Sequence, residues 1–252
     1  MLSDEQLRSF RRDGFLNCGT VFDASELERI GKEYDRLVRP DGQVLGNQAD
    51  GVFAYRAMLN FRSPDLKAFI VHPVLLGLCN EILGPDVRFY WDQGINKQPG
   101  AGSAIAWHQD NGYQGGRTQE YLTCWLALDD STTANGGLLA VPGSHGGGQL
   151  EHEWRGVHAV IPERAFDASR AVPLDARAGE LLIFSSLLVH QTVGNTTERE
   201  NRRAWVMQYC RGDQRNEDTG EVYDDRPWAL RSGVPVAKPW SERVFELGGG
   251  RS

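Results

Sequence analysis

Residues 122–145 read LTCWLALDDSTTANGGLLAVPGSH, two short apolar runs on either side of a segment rich in turn formers. The first run, Leu122–Leu128, and the second, Leu138–Val141, have the length and composition of buried strands. Asn135-Gly136-Gly137 between them and Pro142-Gly143 after them supply tight-turn geometry. Since a helix would need a longer run, this stretch predicts consecutive strands of a β-rich domain.

Short, strand-like apolar runs begin at residue 87, whereas the first 85 residues have the pattern of helices. Further strand-like runs are Val87–Trp91, Ala104–His108, Glu180–Phe184 and Ala204–Tyr209. Before them, capping patterns predict helices that begin near Ser3, Ser25 and Ser63, and a fourth helix over Val74–Leu83. Helices followed by many antiparallel-looking strands predict a mainly β fold, closed or double-sheeted, with helices packed outside.

The length of 252 residues fits one domain. We expect a mainly helical flank over 1–85, a β core over 86–212 and a C-terminal extension over 213–252. A hydrophobic content of 40% argues against a disordered chain, and the net charge of −7 argues against a general nucleic-acid binder. The expected partner is a small-molecule substrate, and the sequence does not indicate an oligomeric state.

The ends and the cysteines of the chain bear on its location. The N-terminus is charged from its fourth residue, and no run of 18 apolar residues occurs, so we expect neither a signal peptide nor a membrane span. The four cysteines form no C-x-x-C pair, which disfavours a zinc finger or a disulfide framework. We therefore expect a cytoplasmic protein with reduced thiols.

A first pair of candidate metal ligands lies in Trp107-His108-Gln109-Asp110, at the end of a predicted strand. Side chains alternate across a strand, so His108 and Asp110 are expected on the same face. An imidazole and a carboxylate can hold a metal ion. This pattern is also common by chance, and a hydrogen-bonded surface pair is the alternative.

A third candidate ligand, His190, ends the apolar segment that begins at Glu180. A histidine at the end of a buried strand is often a core residue whose nitrogens are satisfied by hydrogen bonds. In an antiparallel double-sheet fold, however, the intervening strands can return the chain opposite His108 and Asp110. Two histidines and one carboxylate would form the facial triad of non-haem Fe(II) oxygenases.

The last strand of the predicted core begins with two arginines. Period-two alternation places Arg202 on one face, together with Ala204, Val206 and Gln208. Because several of these residues are small and suit a barrel interior, we expect Arg202 to point inward. A buried guanidinium needs an anionic partner, which a dicarboxylate ligand would provide through a bidentate contact. The alternative is two solvated arginines at a strand start.

Several further motifs occur in the order and at the spacing typical of one enzyme family. They are residues 2–15 (LSDEQLRSFRRDGF), His72-Pro73, Leu83-Gly84-Pro85, residues 95–99 (INKQP), residues 107–110 (WHQD) and residues 135–145 (NGGLLAVPGSH). With these motifs, the chain resembles over most of its length the phytanoyl-CoA dioxygenase family of Fe(II)/2-oxoglutarate-dependent oxygenases. The resemblance implies a double-stranded β-helix, which is a cupin-like jelly roll.

The resemblance also implies the roles of individual residues. Iron would be held by His108, Asp110 and His190, with 2-oxoglutarate as cosubstrate and O₂ as oxidant. Arg202 matches the position that binds the far carboxylate of 2-oxoglutarate. Two further positions that match residues lining the cosubstrate site are Trp125 and Gln93, and Arg56 lies where family members can carry a basic cosubstrate-binding residue.

The implied reaction is oxidative decarboxylation of 2-oxoglutarate to succinate and CO₂, coupled to hydroxylation of a small molecule. Similar halogenases carry Ala or Gly at the position of Asp110, so the carboxylate implies oxygenation and not chlorination. The alternative from another class is a redox-silent cupin-like isomerase or a small-molecule-binding jelly-roll module. The substrate is open, because the loops around 43–55, 113–120 and 149–171 carry no transferable pattern. Their few basic residues make a CoA pocket less attractive.

Overall fold

The computed structural model describes residues 1–38, 53–100, 104–114 and 116–236. Its α-helices are α1 (Asp4–Asp13), α2 (Ala24–Leu37), α3 (Pro64–Phe69) and α4 (Pro73–Leu83). Its strands are β1 (Phe15–Thr20), β2 (Phe53–Ala57), β3 (Val87–Lys97), β4 (Ile105–His108), β5 (Leu122–Ala127), β6 (Leu138–Ala140), β7 (Glu153–Arg155), β8 (His158–Val160), β9 (Val172–Leu174), β10 (Glu180–Ser185), β11 (His190–Thr192), β12 (Arg202–Arg211), β13 (Trp228–Arg231) and β14 (Val234–Pro235).

Side-chain caps begin the helices, and two of the three caps that the sequence predicted are confirmed. Ser3 caps α1, and Gly14 ends it in the left-handed conformation with φ of 84°. Ser63 caps α3, and α4 ends at Gly84 as expected. The predicted start of α2 at Ser25 is wrong by two residues. Asp23 is the cap there, because its carboxylate accepts a hydrogen bond from the backbone N–H of Glu26 at 2.8 Å.

The strands form two antiparallel sheets and one separate hairpin. The larger sheet has the order β1-β10-β5-β12-β3-β13-β14, with β2 also paired to β3, and the smaller sheet has the order β4-β11-β6-β9. β7 and β8 pair with each other. One buried apolar cluster contains Trp125 and Val206 of the larger sheet and Leu138 and Ala140 of the smaller, so the two sheets face each other. The predicted mainly β jelly roll with flanking helices is confirmed.

The structure adds strands where the sequence suggested flank or loop. β1 and β2 lie within the expected helical flank, β7 and β8 lie within the loop 149–171, and β13 and β14 lie within the C-terminal extension. β1 is a partly exposed edge strand that pairs only with β10 along the sheet path, so it lacks a continuous apolar run. The flank and the extension therefore add strands to the larger sheet and do not stand apart from the core.

The helices cover the outer face of the larger sheet. Trp205 of β12 points into this outer core, where its ring centroid lies 5.5 Å from that of Phe69 in α3. Its Nε1 donates to Asp92, a fully buried carboxylate whose pKa burial raises to about 6. Alternation along β12 then turns Val206 and Gln208 toward the smaller sheet. None of the described helices is long and apolar enough to cross a membrane.

Candidate metal centre

Three predicted ligands meet between the two sheets. His108 and His190 lie directly opposite each other on the paired strands β4 and β11. Asp110 begins a short 3₁₀ turn after β4, and its Oδ1 lies 3.7 Å from the Nε2 atom of each histidine. One ligand atom from each residue lies within 4.8 Å of the other two, so the three can hold one metal ion.

Backbone carbonyls orient both imidazoles toward the common centre. Nδ1 of His108 lies 2.7 Å from the carbonyl oxygen of Ala106, and Nδ1 of His190 lies 2.9 Å from that of Leu188. Since a carbonyl oxygen only accepts, each Nδ1 donates a proton, and the Nε2 lone pair is left for a metal ion. Burial, reinforced by the neighbouring His108, lowers the pKa of His190 to about 4, so this imidazole is neutral at pH 7.

The Asp110 carboxylate is held by two hydrogen bonds on the side away from the histidines. Its Oδ2 accepts from Thr123 Oγ1 at 2.6 Å and from Gln208 Nε2 at 2.9 Å. Burial alone raises the pKa of Asp110, but the contact with His108 and the nearby His190 outweigh it, so the pKa lies below its ordinary value. The site therefore offers two imidazoles and one carboxylate, a donor set that suits Fe(II).

The hydrogen bond from Thr123 to Asp110 gives a testable prediction. We expect Thr123→Val, a substitution of similar shape, to weaken Mn(II) affinity by about 10- to 100-fold, because the carboxylate loses an orienting partner. Isothermal titration calorimetry with Mn(II) measures the change. Thr219→Val is the matched control, since Thr219 is exposed and its hydroxyl accepts only from the backbone N–H of Glu221. Equal Mn(II) affinities of wild type and Thr123→Val would show that Thr123 does not position the ligand.

The three ligand atoms open onto a cavity of about 470 Å³ between the sheets. Aromatic rings flank both imidazoles: Phe184 lies 4.9 Å from His190, and Tyr113 lies 5.6 Å from His108, measured between ring centroids. These rings form apolar walls beside the metal-binding imidazoles. A second cavity, lined by Trp107 on the other side of β4, contains none of the predicted site residues.

Arg202 points inward from β12, as predicted. It shares its face with Val206 and Gln208, both of which line the cavity. Arg202 is fully buried, and its Nε, Nη1 and Nη2 atoms have no hydrogen-bond acceptor among the described residues. Burial lowers its pKa to about 10, so the guanidinium stays charged at pH 7. A buried cation with three unused donor nitrogens fits a bound carboxylate.

One predicted residue lies close to Arg202, and one further residue of the cavity wall was missed by sequence reasoning. The ring of Trp125 lines the cavity, with its centroid 5.5 Å from the guanidinium carbon of Arg202. Thr192 also lines the cavity, and its hydroxyl oxygen is buried without a partner among the described side chains. Its position two residues after His190 on the same strand face is the signal that would have found it.

Gln93 lines the cavity, whereas Arg56 does not. The side-chain oxygen of Gln93 accepts hydrogen bonds from the Tyr55 hydroxyl at 2.9 Å and from Trp91 Nε1 at 3.1 Å. Tyr55 itself lines the cavity, and strand alternation turns the adjacent Arg56 to the opposite face. There Arg56 Nη1 donates to the carbonyl oxygen of Leu37 at 2.8 Å. The structure thus places Tyr55, and not Arg56, beside the cavity.

Some other residues that lie near the metal-binding motif in sequence line the cavity, and others do not. Tyr113, Trp91 and His158 line the cavity. His152 lies beside it, where its Nε2 accepts from the backbone N–H of Gln109 and so helps to hold the metal-binding turn. Arg117 lies at the surface in an ion pair with Asp218. Of the predicted substrate loop 43–55, residues 43–52 lie outside the described residues.

Residues 10–204 match the family model of phytanoyl-CoA dioxygenase (PhyH), most of the length of the chain. The chain belongs to the phytanoyl-CoA dioxygenase family. This is a family of non-haem iron dioxygenases that use 2-oxoglutarate and O₂, so the predicted family, class of enzyme and cofactors are confirmed. The converging His108, Asp110 and His190 agree with this membership.

The chain is similar in sequence to two plant proteins named phytanoyl-CoA dioxygenase. Phytanoyl-CoA dioxygenase 1 of Oryza sativa subsp. japonica is 36% identical over 215 residues, which cover 77% of this chain and 76% of the relative. Phytanoyl-CoA dioxygenase of Arabidopsis thaliana is 33% identical over 122 residues, 47% of this chain and 43% of the relative, so this match spans less than half of that protein.

One similar solved structure is that of SnoK, a non-haem α-ketoglutarate-dependent carbocyclase from nogalamycin biosynthesis. It matches with a TM-score of 0.72 and 24% identity, over 92% of this chain and 88% of SnoK. At this level of identity, the match shows that the two proteins share the jelly-roll fold of the dioxygenase family.

Proposed function

We propose that this member of the phytanoyl-CoA dioxygenase family hydroxylates a small molecule, with Fe(II) held by His108, Asp110 and His190. The observation that carries the proposal is the buried guanidinium of Arg202, whose three nitrogens lack an acceptor among the described residues. A charged group in such a position is costly unless an anionic ligand pairs with it. A 2-oxoglutarate molecule supplies the carboxylate that this guanidinium lacks.

Each residue then has a definite task. When bound, Fe(II) and 2-oxoglutarate would activate O₂, with one oxygen atom entering the succinate that is released with CO₂ and the other entering the substrate. Arg202 pairs with the far carboxylate of 2-oxoglutarate, and the unpartnered hydroxyl of Thr192 is a further hydrogen-bonding group in the cavity wall. Trp125 forms the wall beside this carboxylate. The rings of Tyr113 and Phe184 keep water from the metal ligands.

The alternative functions, a redox-silent isomerase or a binding module, do not require Arg202 to be buried and unpaired. The named relatives do not point to one substrate, since two are named for phytanoyl-CoA and SnoK is a carbocyclase.

A cytoplasmic location is part of the proposal. It is supported by four cysteines that form no disulfide in the structure, as expected in a reducing compartment.

Isotope labelling tests the hydroxylase proposal. The Fe(II)-loaded protein is incubated with 2-oxoglutarate, a panel of metabolites and ¹⁸O₂, and the products are analysed by mass spectrometry. We expect one substrate-derived product that contains a single ¹⁸O atom, formed in step with succinate that contains the other. A product that lacks ¹⁸O and has lost two hydrogen atoms would replace hydroxylation by desaturation.

Chloride gives a second test of the metal ligands. Because the ionised Asp110 occupies one ligand position and contributes a negative charge, a chloride ion is disfavoured as an additional ligand. We expect oxygenated or desaturated products and no chlorinated ones, even in saturating chloride. Mass spectrometry of the product formed with the true substrate measures this. A chlorine isotope pattern in the main product would show that Asp110 is not a metal ligand.

A further inference from the structure

The part of the cavity that lies away from Arg202 has a distinct composition, and it carries information about the substrate. Its described walls include the aromatic rings of Tyr90, Trp91, Tyr113 and Tyr121. Tyr90 and Tyr121 pack against each other with ring centroids 4.6 Å apart, which makes this wall rigid and broad. Flat, apolar surfaces of this kind favour a substrate with a ring or another apolar body.

The charges in the same region favour one sign of substrate charge. Asp110 is the only carboxylate among the described residues that line the cavity, and its oxygens are committed to Thr123, Gln208 and the histidines. No anionic side chain in the described walls is therefore left to pair with an ammonium group. An ammonium group that loses its hydration here meets only aromatic faces and no free carboxylate among the described walls, so we expect a cationic substrate to bind less tightly than one whose charge finds an ionic partner.

Arg226 is the one arginine or lysine in the described lining of the cavity. Its guanidinium lies over the ring of Tyr90, with the guanidinium carbon 5.1 Å from the ring centroid. Nη1 pairs at 2.9 Å with Asp225, which is 56% exposed, whereas Nε is buried and has no acceptor among the described residues. One edge of the guanidinium is thus paired at the surface, and a donor remains on the other.

The position of Arg226 is fixed by the chain around it. The side chain of Arg88 donates to the carbonyl oxygens of Gly212, Asp224 and Arg226, and so ties this segment to β3. The guanidinium of Arg88 also lies 3.8 Å from the ring centroid of Trp228 in β13. A cation held in this way is preorganised for an anionic group of the substrate.

The mouth of the cavity is formed in part by the β7–β8 hairpin, residues 153–160. Val157 at its turn lines the cavity and is 61% exposed, and Trp154 on β7 is 58% exposed. The ring of Trp154 packs edge-on against Tyr113 at 6.0 Å, and Tyr113 packs edge-on against His108 at 5.6 Å. Aromatic surface therefore continues from the metal centre to the mouth, where two large apolar side chains are exposed to solvent.

We propose that the substrate is an apolar, ring-containing compound with an anionic oxygen group, which binds to Arg226. This inference rests on the proposed function, and it adds the substrate class to it. The ring system lies against Tyr90 and Tyr113 and extends to Trp154 at the mouth. Free amino acids and other ammonium compounds are not substrates of this site.

Two probes with the same ring system and opposite charge test the proposal. They are 2-naphthoate and 2-naphthylmethylamine, titrated by calorimetry into the anaerobic protein loaded with Fe(II) and saturating 2-oxoglutarate. The 2-oxoglutarate occupies Arg202, so that the naphthoate carboxylate cannot bind there. We expect naphthoate to bind at least about tenfold more tightly than the amine, because only its charge finds a partner.

Variants assign this preference to individual residues. In Arg226→Gln we expect the preference for naphthoate over the amine to fall below about threefold. In Arg226→Lys, which keeps the charge, we expect part of this preference to remain. The matched control is Arg117→Gln, which removes a surface arginine paired with Asp218 and should leave the preference unchanged. Trp154→Ala should weaken the binding of both probes by a similar factor, about three- to tenfold.

The outcomes distinguish this inference from the proposed function. Tighter binding of the amine, a full preference retained in Arg226→Gln, or no binding of either probe would overturn the substrate class. Binding of 2-oxoglutarate to the Fe(II)-loaded protein is measured first in the same calorimeter. If that binding is absent, the proposed function fails, whereas normal 2-oxoglutarate binding without the probe preference contradicts only the present inference.

Discussion

Replacement of Arg202 with methionine is expected to abolish useful binding of 2-oxoglutarate. Loss of a buried partner of a charged group costs about 2–5 kcal/mol, which corresponds to a decrease in affinity of about 30- to 5,000-fold. The reason is that the three guanidinium nitrogens have no other acceptor among the described residues, so they are available for the ligand. Calorimetric titration of 2-oxoglutarate into the Mn(II)-loaded variant measures the loss.

The same substitution is expected to stabilise the ligand-free protein. Arg202 is fully buried without an acceptor in the described part of the chain, and an apolar side chain of similar length removes this cost, about 1–4 kcal/mol. The melting temperature without 2-oxoglutarate should therefore rise, and its further increase on addition of 2-oxoglutarate should disappear.

The neighbouring arginine provides the matched control. Arg203 points to the other face of β12, where it pairs with Asp35 and Asp129. Arg203→Met should leave 2-oxoglutarate affinity unchanged and lower the melting temperature, the opposite of the expected effects of Arg202→Met. If both variants bind 2-oxoglutarate like the wild type, Arg202 is not the carboxylate partner.

Asp110→Ala is expected to eliminate substrate hydroxylation and to weaken Mn(II) or Fe(II) binding by more than about a hundredfold. Loss of an outer hydrogen-bond partner alone costs about 10- to 100-fold in affinity, and this variant removes the only anionic ligand of the three. The fold should survive, because Asp110 lies in a turn at the end of a strand and not in the main apolar core.

Two measurements separate these effects of Asp110→Ala. Circular dichroism and thermal melting test the fold, and metal titration with product analysis tests the site. Asp110→Asn, which keeps the shape and removes the charge, should lose metal affinity in the same direction. Hydroxylation by the alanine variant at the wild-type rate would refute the assignment of Asp110 as a ligand.

Much of the fold could be predicted because buried strands and capped helices leave local patterns in the sequence. The apolar run that became β5 and the serine caps of α1 and α3 required no knowledge of the rest of the chain. β1 and the β7–β8 hairpin were missed for the opposite reason. β1 is an edge strand that is only partly buried, and β7 is exposed along its whole length, so tertiary pairing alone defines them.

The candidate metal centre could be predicted for similar reasons, whereas its surroundings could not. His108 and Arg202 stand on strands whose period-two alternation fixes their faces, and Asp110 follows His108 by two residues in the turn that ends β4. The hydrogen bonds from Thr123 and Gln208 to Asp110 join three distant segments and leave no local signal. The assignment of Arg56 rested on the family resemblance alone, and the strand alternation seen in the structure places its neighbour Tyr55 at the cavity instead.

Succinate formation from 2-oxoglutarate tests most directly the claim that the metal ligands and Arg202 form one cosubstrate site. The wild-type protein, loaded with Fe(II) and supplied with 2-oxoglutarate and a panel of metabolites in air, is compared with Arg202→Met and with the metal-free protein. We predict succinate and CO₂ in equal amounts from the Fe(II)-loaded wild type, and only background levels from the other two. Succinate formed at the same rate by Arg202→Met, or none formed by the wild type with any substrate tested, would contradict the account.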